Sequence, residues 1–110
     1  EQVRVLPISE KYGDYAEKVN KELKANGIRS SVDGRSEKIG YKIRDARLAK
    51  VPYMLVVGAK EEEEGVVSVR SRYLGDEGAK NLNQFIDEIC REIRTKEIRK
   101  IQVSEDNQKN

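Results

Sequence analysis

One stretch of this chain is apolar on both faces, and it dictates the layers around it. Tyr53-Met54-Leu55-Val56-Val57 is entered through Pro52, left at Gly58, and offers no polar side to water. A strand of this kind belongs in the middle of a sheet, with another layer covering each face. The apolar run that contains it, Val51 to Val57, is seven residues long. A membrane-spanning helix needs about 20, so nothing here is expected to cross a bilayer.

The flanking pattern supplies the layers. Val3 to Ile8 reads as a short strand checked by Pro7, with Ser9 placed to cap a helix. That helix carries Tyr12, Tyr15, Ala16, Val19 and Leu23 on one face and stops at Gly27. Ile28 to Asp33 is a second strand with a polar face. A second helix opens at or beside Ser36, turns Ile39, Ile43 and Ala46 inward, and ends before Pro52. Beyond the central strand an acidic loop, Lys60 to Gly65, leads into the alternating strand Val67 to Arg72. So short a link implies an antiparallel pair. Gly75 and Gly78 mark a turn before a last helix, capped by Asn81, with Leu82, Phe85, Ile86, Ile89 and Ile93 inward.

The order β-α-β-α-β-β-α predicts an α/β domain with right-handed crossovers. Its sheet is mixed, mostly parallel and four- to five-stranded, flanked by three helices. At 110 residues there is material for one core, expected over residues 1–98 with a polar, frayed tail at 99–110. The chain opens on Glu1 rather than Met and shows no signal peptide, so a piece of a longer protein is expected.

Composition removes most catalytic chemistry. There is no histidine and a single cysteine, Cys90, on an apolar helical stripe where a small buried side chain is expected. Zinc sites and histidine-based acid, base or nucleophile arrangements therefore find no ligands here. Neither a GxxxxGK[ST] loop nor a GxGxxG fingerprint occurs. The acids Glu61 to Glu64 read as a solvated run, and catalysis by this piece alone is not expected.

The charge is distributed unevenly. From Arg35 to Lys50 six basic residues face two acidic ones, a local +4 on a chain of net +2. The first and last helices each balance four acids with four bases, as solvated faces do. The surplus therefore lies on the second helix, which starts just past the carboxyl end of a strand, where α/β sheets hold ligands. An anionic partner, most simply a phosphate backbone, follows.

Four further residues leave alternatives open. Arg70 and Arg72 are two apart on an alternating strand, so both point away from Val67 and Val69. They either grip a base or phosphate through the planar guanidinium or form the wet face of an edge strand. Arg44 lies off the buried stripe, as a reader or as a solvated helix charge. Gly40, costing about 1 kcal/mol inside a helix, implies close packing or the approach of a ligand. Stacking platforms are sparse, with Tyr41, Tyr53 and Tyr73 near the basic region, which favours hydrogen-bonded reading of a few bases. A protein-interaction or dimerisation module without base reading, and a small-ligand α/β domain, are the rival classes.

The spacing Asp33-x-Arg35-x-Glu37-Lys38-x-Gly40-x-Lys42-Ile43-Arg44-x-Ala46, followed by Val51-Pro52-Tyr53-Met54-Leu55-Val56-Val57-Gly58, resembles the anticodon-binding domain of class IIa aminoacyl-tRNA synthetases. Leu6-Pro7-Ile8 and Val67-Ser68-Val69-Arg70-Ser71-Arg72 make the threonyl branch the most similar, over about Val3 to Ile93. The resemblance implies a C-terminal domain that binds the anticodon stem-loop of tRNA(Thr) and reads its G and U. Base-reading positions then fall on Ser36, Arg44, Glu61 and Arg70. Phosphate contacts fall on Arg35, Lys38, Lys42, Arg47 and Arg72. A glutamate accepts from the N1–H and amino group of guanine, and an arginine donates to O6 and N7. Ser36 departs from the asparagine common in the family, and its shorter side chain would cap the helix or act through water. The resemblance also implies a cytoplasmic, homodimeric parent ligase whose separate catalytic domain uses ATP and zinc, with no cofactor in this piece.

Overall fold

In the computed structural model, which describes residues 1–72 and 75–94, the chain opens with β1 (Val3–Pro7), a 3-10 turn (Glu10–Tyr12) and α1 (Gly13–Ala25). There follow β2 (Ser30–Val32), α2 (Ile39–Leu48), β3 (Tyr53–Val57), α3 (Ala59–Glu64), β4 (Val66–Ser71) and β5 (Gly75–Asn81). A last helix, α4, occupies 82–94. The sheet order is β2-β1-β3-β4-β5, parallel across β2-β1-β3 and antiparallel across β3-β4-β5. The doubly apolar strand is central, as its composition demands.

The two sheet faces are covered unequally. On one, Val3, Val5, Leu55, Val57, Val67 and Val69 pack against Ala16, Val19 and Leu23 of α1 and Phe85, Ile86 and Ile89 of α4. On the other, Leu6 and Met54 pack against Ala46 of α2 and Val51. Burying each of these larger side chains contributes about 1.5–3 kcal/mol. One helix cannot span five strands, so α2 covers the β1–β3 side and, among the described residues, the outer part of that face, on β4 and β5, is left open.

Local signals explain the joints. α1 ends as Gly27 predicts: the Gly27 N–H donates to Lys24 O at 3.0 Å and the Ile28 N–H to Leu23 O at 3.1 Å. Half-buried Tyr15 ties α1 to the sheet by donating to Val66 O at 2.7 Å. Asn81 caps α4, its Oδ1 accepting from the Asn83 N–H at 2.9 Å.

Elsewhere the structure corrects the pattern. Ser9 makes no side-chain cap bond, and a 3-10 turn separates it from α1. Ser36 does not open α2; Lys38 stands at its N-cap. The acidic segment is a fourth helix rather than a loop, because glutamates are good helix formers and Gly65, at φ 69°, closes the turn in the left-handed region. The segment with Gly75 and Gly78 is a strand rather than a turn. Their φ values of 74° and 83° accompany a register shift between Val69 and Arg70 in its pairing. β4 is thus an interior strand, not an edge. Gly40 meets no atom within 4 Å of where a Cβ would stand, so close packing is not its reason. Tyr73 and the proposed tail at 99–110 lie outside the described residues.

Candidate nucleic-acid interface

The segment from Asp33 to Lys38 is held by an ion network that its sequence does not advertise. Arg35 donates through Nε to Asp33 Oδ1 at 2.8 Å and through Nη2 to Asp33 Oδ2 at 2.7 Å. The same Nη2 reaches Asp45 Oδ2 on α2 at 2.8 Å, and the guanidinium lies over the exposed Tyr41 ring, 5.5 Å from its centre. Arg35, expected as a phosphate contact, therefore works first as a brace between β2 and α2. It keeps 47% of its side chain exposed, which leaves it an outer edge for a partner.

The hydrogen bonds from Arg35 hold the Asp33 carboxyl below its ordinary value of 3.8, with the nearby Lys42 charge adding to the effect. A carboxylate with a depressed folded pKa stabilises above its unfolded value, and that contribution disappears as pH falls through the folded one. Asp33→Asn is therefore expected to be less stable than the parent chain near neutrality. The gap should close below about pH 3.8 in urea titrations; a pH-independent gap would show that the charge of Asp33 contributes nothing.

Lys42 overturns its assignment as a phosphate contact. It is 1% exposed, and its ammonium donates to Pro7 O at 2.9 Å beneath α2. Helical spacing explains why: Lys42 stands between Ile39 and Ala46 on the buried stripe, one turn from each.

The other cations stay outside. Asp45 faces the β2 side of α2, through Arg35, so at about 100° per residue Arg47 comes round toward the β3–β4 side, while Arg44, about 160° from buried Ala46, points outward from the sheet. Arg70 is the cross-strand partner of Met54, which packs under α2, and so points to that same sheet face. β5 offers Asp76 and Ala79 on the same face, and among the described residues no helix covers this part. Among the described residues Lys38, Arg44, Arg47 and Arg70 form no ion pair, in contrast to Arg35. Arg72 follows β4 in a turn, exposed.

Ser36 and Glu61 each lie near Ile8 at the carboxyl end of the sheet. Ser36 lines an open cleft of about 570 Å³ with Ile8, Glu10, Lys11 and Lys38. Glu61, on α3, is half-buried at the same rim: a Gly58 Cβ would clash with the Ile8 side chain at 2.6 Å and meet Glu61 Oε1 at an ordinary contact distance of 3.6 Å. Its neighbours Glu62, Glu63 and Glu64 are exposed. From Met54, level with Arg70, to Val57 at the rim is about 10 Å of strand, a gap two long side chains can close around one base. Of the four expected readers, Ser36 and Glu61 stand at the rim, Arg70 on the β4 face beyond α2, and Arg44 on the outer side of α2. Sequence reasoning missed Glu10, which lies 26 residues before Ser36 and accepts a hydrogen bond from its hydroxyl.

Residues 2–105 match the family described as the anticodon binding domain. The chain is 59% identical over 95 residues to a threonine–tRNA ligase of Caldanaerobacter subterraneus subsp. tengcongensis, covering 86% of this chain and 15% of that protein. It is 58% identical over 96 residues to a threonine–tRNA ligase of Clostridium botulinum, again 15% of that protein's length. Among solved structures, the RNA binding domain of threonyl-tRNA synthetase from Cryptosporidium parvum superposes with a TM-score of 0.76 at 37% identity, over 80% of this chain and 22% of that one. Histidyl-tRNA synthetase from Nostoc sp. PCC 7120 shares the fold at 20% identity and a TM-score of 0.77, over 84% of this chain and 22% of that one.

Proposed function

The chain belongs to the anticodon-binding domain family, and on that footing we propose that it reads guanine and uracil in the anticodon loop of tRNA(Thr) as part of a threonine–tRNA ligase. The observation that carries this reading is the half-open sheet. Among the described residues α2 leaves the Arg70 side of β4 and β5 uncovered, with Arg47 on the adjoining flank of α2 and Arg44 on its outer side, cations without carboxylate partners. A single-stranded loop with splayed bases fits such a face, since bases are read by edge hydrogen bonds while lysine and arginine take the phosphates. Arg44, Arg70, Glu61 and Ser36 are the proposed base readers. Lys38, Arg47, Arg72 and the outer edge of Arg35 are the proposed phosphate contacts.

Because the chain spans 15% of the relatives it matches, aminoacylation is assigned to the remainder of the parent protein. The proposed parent is a cytoplasmic homodimer whose catalytic domain uses ATP and zinc. Among the described residues no helix is long and apolar enough to cross a membrane.

Binding of the chain to stem-loops that differ at the second and third anticodon bases tests the reading. The threonine loop is expected to bind more tightly than the variants, with a log–log salt slope of about −0.7 per phosphate neutralised. Lys38→Ala should weaken all loops alike and reduce that slope by about one phosphate's worth. Equal affinity for every anticodon would refute base reading. RNA binding absent altogether would favour the rival protein-interaction module.

A further inference from the structure

We propose that Glu10 is a base-reading residue, acting with Ser36 as one composite acceptor for a base edge that donates an imino N–H. This inference rests on the anticodon reading above and adds a residue to it. The Ser36 hydroxyl donates to Glu10 Oε1, and both groups are exposed and line the cleft at the carboxyl end of β1. An ionised carboxylate is acceptor-only, with about four lone-pair sites. The serine hydroxyl occupies one and orients the group, so the remaining sites stay available to the cleft. Ile8, 42% exposed, gives the cleft an apolar surface on which a base plane can lie. Lys11 and Lys38 line the same cleft and supply cations for the flanking phosphates.

An acid beside phosphates is repulsive unless it makes a contact that offsets the repulsion; RNA offers base N–H groups and the ribose 2′-OH as donors, and only the base N–H differs from one base to another. Guanine presents N1–H and its amino group, and uracil presents N3–H. Adenine and cytosine present a bare ring nitrogen at the same edge, which a carboxylate repels. The reach that the short Ser36 side chain lacks comes from Glu10, on a different segment of chain.

The test uses fluorescently labelled anticodon stem-loops carrying each of the four bases at the second and third positions, bound to the parent chain, Glu10→Gln, Glu10→Ala and Glu17→Gln. Glu17 is exposed on α1 and controls for the loss of a negative charge. Glu10→Gln is expected to reduce the preference for guanine or uracil over adenine at one position by roughly ten- to a hundredfold, and the affected position identifies which base is read. Glu10→Ala should lose affinity for the preferred loop, while Glu17→Gln leaves the preference intact. Tighter binding of Glu10 variants to all loops alike would show that Glu10 merely repels phosphate and would overturn the proposal. So would a preference unchanged from the parent chain. A parent chain without any preference would instead refute the anticodon reading itself.

Discussion

Lys42→Ala is expected to lower the unfolding free energy by about 2–4 kcal/mol, in the range of buried large-to-small replacements. The lysine is 1% exposed, so truncation empties the space its stem fills beneath α2 and leaves Pro7 O without its donor. Lys42→Met should recover part of the loss by restoring volume without the hydrogen bond. Urea denaturation of the three chains measures this directly. RNA affinity per folded molecule and its salt slope should stay close to those of the parent chain. Unchanged stability, with a salt slope reduced by one phosphate, would instead place the ammonium on RNA.

Arg70→Ala is expected to cost about 1–3 kcal/mol in binding to the threonine stem-loop and to flatten discrimination at the base it reads. Arg70 is half-buried on an interior strand and extends from the open face rather than from a flexible edge. Its backbone is fixed by pairing on both sides, and a guanidinium so placed loses less freedom on binding than one on a loop. Arg70→Lys separates shape from charge: lysine keeps the attraction to phosphate but lacks the planar fork, so affinity for all loops should survive better than preference. Equal preference in all three chains would reduce Arg70 to a surface charge.

How far these residues were legible in the sequence depends on the distance over which each is determined. The doubly apolar run at Tyr53 to Val57 forces a central strand, and the period of α1 and α4 places their buried faces, because these patterns are local. The fourth helix was hidden because a short glutamate run satisfies the signature of a solvated loop as well as that of a helix. β5 was hidden because glycines at positive φ signal a turn, while here they accompany a register shift in a paired strand.

The site divides in the same way. Arg44 and Arg70 keep the placement expected of them, since each lies off a buried periodic stripe that the sequence displays. Lys42 does not, although it sits in the basic segment, because the stripe it shares with Ala46 takes its ammonium inside to a carbonyl 35 residues away. Arg35 likewise meets Asp45 across ten residues, and Ser36 meets Glu10 across 26.

By itself the sequence determined the α/β class, the central strand, the localisation of positive charge and the family resemblance carried by the motifs from Asp33 to Gly58. Those follow from local periodicity, composition and spacing. Only the tertiary structure decided which cations are taken inside the protein, that α2 leaves one face of β4 and β5 open among the described residues, and that a glutamate from the first turn stands beside Ser36. Each of these depends on which segments pack together, and side-chain pairing across the sheet is set by register and coverage rather than by neighbours in the chain.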